Sequence, residues 1–242
     1  MRSILTLALL SLFVSPCSSY ANFYLLSVNQ RTTVTAFNGD DFMIDLVQGH
    51  SYSCEGFTSD PASTFEWIPE NGGGGRLTTE SRGDVTPPIT SQAGITSLAR
   101  ISFTAPSAGP FFVGVNANPF VGETLTVRCV DTTLYGEYNT FVNPYNFLEL
   151  TNNTNSTVTG TISANNYDGS IVINAMPFTI PPRRRADFDI HSAAGPNKFG
   201  GVVVTSNAPY GTLQAYLSEY SGAVGSLKLN ASVPLKHVGS KR

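Results

Sequence analysis

Apolar residues in this chain recur at every second position and almost never at every third or fourth, a pattern that commits the backbone to pleated strands rather than helices. Residues 41–46 place Phe42, Ile44 and Leu46 on one face, and residues 51–57 return with Tyr52, Cys54 and Phe57 available to a core. Val47-Gln48-Gly49 supplies the turn between them, which reads as a hairpin with His50 in its bend. Residues 97–105, 109–115 and 124–130 continue the pattern, and so do 146–151, 157–164, 171–180, 186–190, 201–205, 211–216 and 226–235. In the last of these Leu227, Leu229, Ala231, Val233 and Leu235 alternate without a break. Asp168-Gly169 is a hairpin turn, and Pro181-Pro182 stops the strand before it. Four consecutive glycines, Gly72 to Gly75, cost too much backbone entropy for a strand and predict a flexible loop behind Trp67. Turn signals at roughly 8- to 12-residue spacing are those of a β-sandwich. The expectation is an all-β chain of two tandem antiparallel sandwiches, over residues 22–135 and 136–236, with a polar tail at 237–242. Their boundary is placed in 131–144, a run of turn-formers without clear periodicity.

The first 21 residues have the layout of a cleaved secretory leader. Arg2 gives the positive charge, Ile4 to Val14 the apolar stretch, and Ser19 and Ala21 the small residues before a cut at Asn22. That stretch is shorter than the roughly 20 residues that span a bilayer, and no later segment approaches that length, so no transmembrane segment is expected. A secreted or periplasmic location follows. Removing the leader takes away Arg2, leaving 13 basic against 17 acidic residues, a net charge of −4. Such a balance steers the chain toward neither nucleic acid nor anionic lipid. Two cysteines then remain, Cys54 and Cys129, and in an oxidising compartment they are expected to form a disulfide closing a long loop.

Two family resemblances can be attached to particular residues. Leu46, Gly49 and Tyr52, with Pro106, Gly109, Phe112, Val115, Leu125 and Val127, resemble the paired-strand motifs of the bacterial pre-peptidase C-terminal domain, a small β-sandwich of secreted proteins. Pro110, Phe111 and the glycine run depart from that pattern. The second half, with its Asp168-Gly169 turn, Ile180-Pro181-Pro182 and the strand entered at Gly201, is similar to immunoglobulin-like sandwich modules of exported bacterial proteins. The resemblances imply spacer, adhesion or binding modules and bring no catalytic residue with them.

Chemistry-bearing residues are sparse. His50, His191 and His237 are the only histidines, and no G-x-S-x-G accompanies them. Alternation puts Asp187, Asp189 and His191 on one solvated strand face. No spacing suggests zinc; Asp40, Asp41 and Asp45 are oxygen donors that calcium could use, against the simpler reading of a turn rich in Asn and Asp. Arg183, Arg184 and Arg185 form the one basic cluster, suited to a phosphate or sulfated glycan if they converge and splayed into solvent if they do not. Arg82-Gly83-Asp84 spells a short adhesion tripeptide, and Asn152, Asn155 and Asn230 open glycosylation sequons. Aromatic residues, Tyr135, Tyr138, Tyr145 and Phe147 among them, gather near the boundary, where they serve either packing or sugar stacking; Trp67 is a further ligand-contact candidate. The expected function is that of an exported, non-catalytic binding or structural protein without a cofactor, recognising a glycan or a protein surface. Alternatives are a subunit of a surface assembly and a hydrolase with an unfamiliar site.

Overall fold

A computed structural model describes residues 23–36, 41–58, 67–71, 75–76, 84–85, 97–105, 108–115, 123–141, 145–223 and 226–238. The chain is nearly all β. Its first half carries β1 (Phe23–Leu26), β2 (Arg31–Ala36), β3 (Asp41–Leu46), β4 (Ser51–Thr58), β5 (Trp67–Asn71), β6 (Gly75–Arg76), β7 (Asp84–Val85), β8 (Ser97–Thr104), β9 (Gly109–Val115) and β10 (Glu123–Asp131). The second half carries β11 (Leu134–Asn139), β12 (Tyr145–Asn152), β13 (Val158–Asn166), β14 (Ile171–Ile180) and β15 (Arg185–Asp189). A short helix α1 (Ile190–Ala194) follows, then β16 (Phe199–Ser206), β17 (Leu213–Ser221), β18 (Lys228–Pro234) and β19 (Lys236–His237). Among the described residues no helix is long and apolar enough to cross a membrane.

The strands form four sheets ordered β1-β3-β9-β5-β6, β2-β10-β4-β8-β7, β14-β13-β16-β11-β19 and β15-β12-β17-β18. Every pairing is antiparallel except β1 with β3. Period-2 alternation decides which side chains meet. Phe42, Ile44 and Leu46 of the first sheet face Tyr52, Cys54, Leu125, Val127 and Cys129 of the second, forming one buried cluster. Ile162, Val202 and Val204 of the third sheet face Leu148, Leu150 and Leu217 of the fourth, forming another. Each is a sandwich core, and burying one such side chain stabilises the fold by about 1.5–3 kcal/mol. Cys54 and Cys129 are bonded, 75 residues apart in sequence, and stand directly opposite one another in the β4–β10 register. The disulfide therefore joins neighbouring strands of one sheet.

Several expectations are corrected. β3 and β4 are not a hairpin: they belong to different sheets, and Val47–His50 is the corner between them, closed by His50 N donating to Val47 O at 3.1 Å. Both strands have one apolar face, and only placement in opposite sheets turns both faces into the same core. The stretch 131–144 contains β11, whose Leu134 and Tyr138 are buried while Tyr135 and Glu137 are exposed. Trp67 begins β5 instead of lying in a loop, with its Cα opposite Val115. Part of the glycine run is also structured, since Gly75 begins β6 and pairs with Asn71. The leader at 1–21 and the tail residues 239–242 lie outside the described residues.

Candidate functional site

The second sandwich is open along one side. There β18 is the edge of the fourth sheet, opposed by β11 and β19 at the edge of the third. Val233 stands opposite Leu217 in the register and so faces the interior side, as Leu217 does. Leu217 is 4% exposed and Val233 56%, so among the described residues Val233 is left largely uncovered. The result is a cleft of about 680 Å³ lined by Tyr135, Glu137, Leu217, Glu219, Val233 and Lys236, among others. Gly136 keeps its base tight: a Cβ there would lie 2.9 Å from Leu235 Cγ and 3.0 Å from Leu217 Cδ1. Tyr135 donates a long hydrogen bond of 3.4 Å to Glu137 Oε1. Burial, and the Glu137 charge beside it, hold its hydroxyl above the usual tyrosine pKa. The cleft thus has an apolar floor, one aromatic wall and a polar rim, the make-up of a ligand site.

His237 leads from this cleft to a polar seam between the sandwiches. It lies in β19 rather than in a solvated tail, and its ring sits 4.9 Å from that of Tyr210. The Arg128 guanidinium lies over the Tyr210 ring, 5.3 Å from its centre, and also bonds Glu55 at 3.1 Å. Burial pushes the His237 pKa down, against the opposing pull of the Asp131 charge and a Thr132 backbone contact. Asp131 is shared: Oδ2 meets His50 Nδ1 at 2.8 Å, and Oδ1 accepts from Thr133 N at 2.9 Å. Thr133 Oγ1 in turn accepts from Ser51 N, and Val238 N donates to Thr133 O. A histidine–aspartate pair is acid–base machinery when its second nitrogen meets a hydroxyl. Among the described residues no hydroxyl hydrogen-bonds to His50, and Ser51 Oγ accepts from Thr132 at 3.1 Å instead. Among the described residues these bonds fix the orientation of the seam.

The outer face of the fourth sheet is the third surface. Tyr145, Phe147, Glu149 and Thr151 of β12 alternate outward, opposite Tyr220, Ser218, Tyr216 and Gln214 of β17. On the other flank Asp189, Asp187 and Arg185 stand opposite Phe147, Glu149 and Thr151. Arg185 bridges two carboxylates, reaching Glu149 Oε1 at 2.6 Å and Asp187 Oδ1 at 2.6 Å. These bonds raise the guanidinium pKa further, the Asp187 hydrogen bond most of all. Tyr220 donates to Glu149 Oε1 at 2.8 Å, and that bond raises the Tyr220 pKa. The three arginines do not converge. Arg183, at φ 58° in the turn after Pro181-Pro182, donates to Asn155 at 3.0 Å; Arg184 is exposed; Arg185 bonds Glu149 and Asp187 and stays 48% exposed at the side chain.

Other expected sites fare differently. His191 does not share a strand face with Asp187 and Asp189. Asp189 caps α1 by accepting from Ser192 N, so the strand ends there, and His191 packs against Tyr145 at 5.1 Å between ring centres. Asp45 is exposed on β3, Asp41 opens that strand with its side chain outside the described residues, and Asp40 lies outside them. Among the described residues no group of three or more His, Cys, Asp or Glu side chains is placed to hold a metal ion. The side chain of Trp67 and residues Arg82 and Gly83 are also outside. Asn152 is buried and its amide nitrogen donates to Ser156 O, Ile180 O and Pro181 O, so that sequon is inaccessible. Sequence reasoning did not single out Val233 as an exposed apolar position lining a cleft, nor Glu149, Tyr216 and Tyr220. The only signal for Glu149 was a carboxylate set between Leu148 and Leu150. No family model matches this chain, and no curated protein matches it.

Proposed function

We propose that the chain is an exported, non-catalytic binding protein that takes a segment of another protein in the cleft of its second sandwich. The single observation behind this is Val233, which faces the core side of its sheet yet stands 56% exposed above Leu217 in a 680 Å³ cleft. A soluble sandwich gains from covering such a residue, and this chain leaves that cover to a partner. Leu217 and Pro234 continue the apolar lining beside it, among Glu137, Glu219 and Lys236, a mixture that favours an amphipathic polypeptide segment. Export is supported by the leader-like start of the sequence and by the disulfide, a bond of oxidising compartments. The free edge of β18 is what a subunit of a surface assembly would use. Its register shift near Glu219 and its terminal Pro234 interrupt that edge, so the cleft reading is better supported.

Selection of random peptides displayed on phage against the immobilised protein tests this. Enriched peptides should be apolar, and Val233→Lys should weaken them at least about tenfold while leaving thermal unfolding unchanged. Peptides that bind wild type and variant alike, or no enrichment at all, would overturn the reading.

A further inference from the structure

We infer that the outer face of the fourth sheet is a second binding site, for a neutral glycan. It is independent of the cleft, since the two lie on opposite sides of one sheet and share no side chain.

The inference starts from an arrangement that the fold itself does not require. Outward positions of a solvated sheet are usually filled by short polar or flexible charged side chains. Here Tyr145, Phe147, Tyr216 and Tyr220 occupy four neighbouring outward positions on β12 and β17, all partly exposed. Between them Glu149 is 8% exposed, a carboxylate sunk into the middle of this face, which among the described residues only His191 flanks, at Tyr145. Removing a charge from water is costly unless it is fully bonded, and Glu149 is bonded to Arg185 and Tyr220. What the burial achieves is order. Tyr220 stands opposite Tyr145 in the register, yet its hydroxyl reaches Glu149, four residues further along β12. The ring therefore lies along the sheet instead of standing upright, with Phe147 edge-on to it at 5.7 Å and 80°. Arg185 and Asp187, each 48% exposed at the side chain, are held together at 2.6 Å and still turn polar atoms to solvent.

The chemistry of this face selects its occupant. Flat aromatic surface attracts the weakly positive C–H faces of a pyranose. A guanidinium with donors to spare beside a carboxylate with free lone pairs matches vicinal hydroxyls, which donate and accept at adjacent positions. Glu149, Asp187 and Asp189 against Arg185 is three negative charges to one positive, so the face repels sulfated or carboxylated glycans. An apolar protein surface would have to strip water from Arg185 and Asp187 without replacing it. A neutral oligosaccharide satisfies both the rings and the fork.

Titration calorimetry with hexasaccharides of glucose, N-acetylglucosamine, mannose and xylose, and with a heparin hexasaccharide as the anionic control, tests the assignment. At least one neutral hexasaccharide should bind. Its affinity should fall at least about tenfold in Tyr216→Ala and in Arg185→Met, with Val233→Lys binding as wild type. Circular dichroism and thermal melts establish that each variant is folded, and Tyr220→Phe, which keeps the ring but frees it from Glu149, gives a milder loss through the same site. Stronger binding of heparin, equal binding by all variants, or no binding of any neutral hexasaccharide at millimolar concentration would overturn it. The failure of either site leaves the other standing, because the peptide selection and the saccharide titration read different residues.

Discussion

Two glycines inside strands of the third sheet are fixed by rings laid across them. Gly160 stands opposite Phe178, and Gly200 opposite Tyr138, in their registers. A Cβ at Gly160 would collide with the Thr205 carbonyl and lie 2.6 Å from Phe178 Cζ; at Gly200 it would collide with the Asn165 carbonyl and lie 2.6 Å from the Tyr138 hydroxyl. Tyr138 cannot swing away freely, since its hydroxyl donates to Asn166 at 2.7 Å. Gly160→Ala and Gly200→Ala should each lose about 2–3 kcal/mol in urea unfolding, an overpacking cost rather than a loss of contacts. His237 gives a pH-dependent counterpart. Its folded pKa lies below the ordinary value of 6.5, with burial the main cause. Above the unfolded pKa neither state holds the proton. As pH falls through about 6.5 the unfolded chain takes it up and the fold does not, so stability declines until the folded pKa is passed. The Tm advantage of wild type over His237→Gln should therefore shrink between about pH 7.5 and pH 5. The Asp131 charge, acting the other way, keeps the effect modest.

At the scale of elements, β18 shows what alternation does and does not encode. Its sequence specifies which apolar residues share a face; whether an opposing sheet reaches far enough to cover that face is set by the lengths of distant strands. Leu235 is buried and Val233 is open for this reason. Leu217→Ala should cost about 2–4 kcal/mol in denaturant unfolding, and Val233→Ala, one strand further out and exposed, less than about 1 kcal/mol. β9 and β14 were legible to the residue because glycine, proline and the Asp168-Gly169 turn punctuate them. β2 was not, since Val34 is the lone large apolar residue in RTTVTA. α1 was hidden by Ile190, which continues the apolar parity of β15 into the core even though Asp189 has already ended the strand. The aromatic face was illegible for a different reason. Arg185 is visible as a charge, but the Tyr220–Glu149 bond that orders the face joins residues 71 apart, a pairing that only the β12–β17 register creates.

At the scale of the molecule, two cores share one seam and only one of them is cross-linked. Cys54–Cys129 lies within the first core and constrains a separation of 75 residues, worth about 4.5 kcal/mol in the chain-entropy account. The second core, with Leu148, Ile162, Val202 and Leu217, has no covalent support. Coupling between them includes the Arg128 guanidinium over the Tyr210 ring and the hydrogen bond from Val238 N to Thr133 O, each worth about 0.5–1.5 kcal/mol net. That sum is smaller than what either core gains from its own buried side chains, so the cores should melt separately. Scanning calorimetry of Cys54→Ala/Cys129→Ala should then show one transition moved to lower temperature and a second held at its wild-type position. His50→Ala, which removes the 2.8 Å bond to Asp131 and only a 6.5 Å ring contact with Tyr52 of the first core, should leave both transitions in place to within a few degrees. A single transition that moves as one in the cystine variant would mean that the seam carries far more energy than its hydrogen bonds supply, and the two sandwiches would then have to be treated as one cooperative unit.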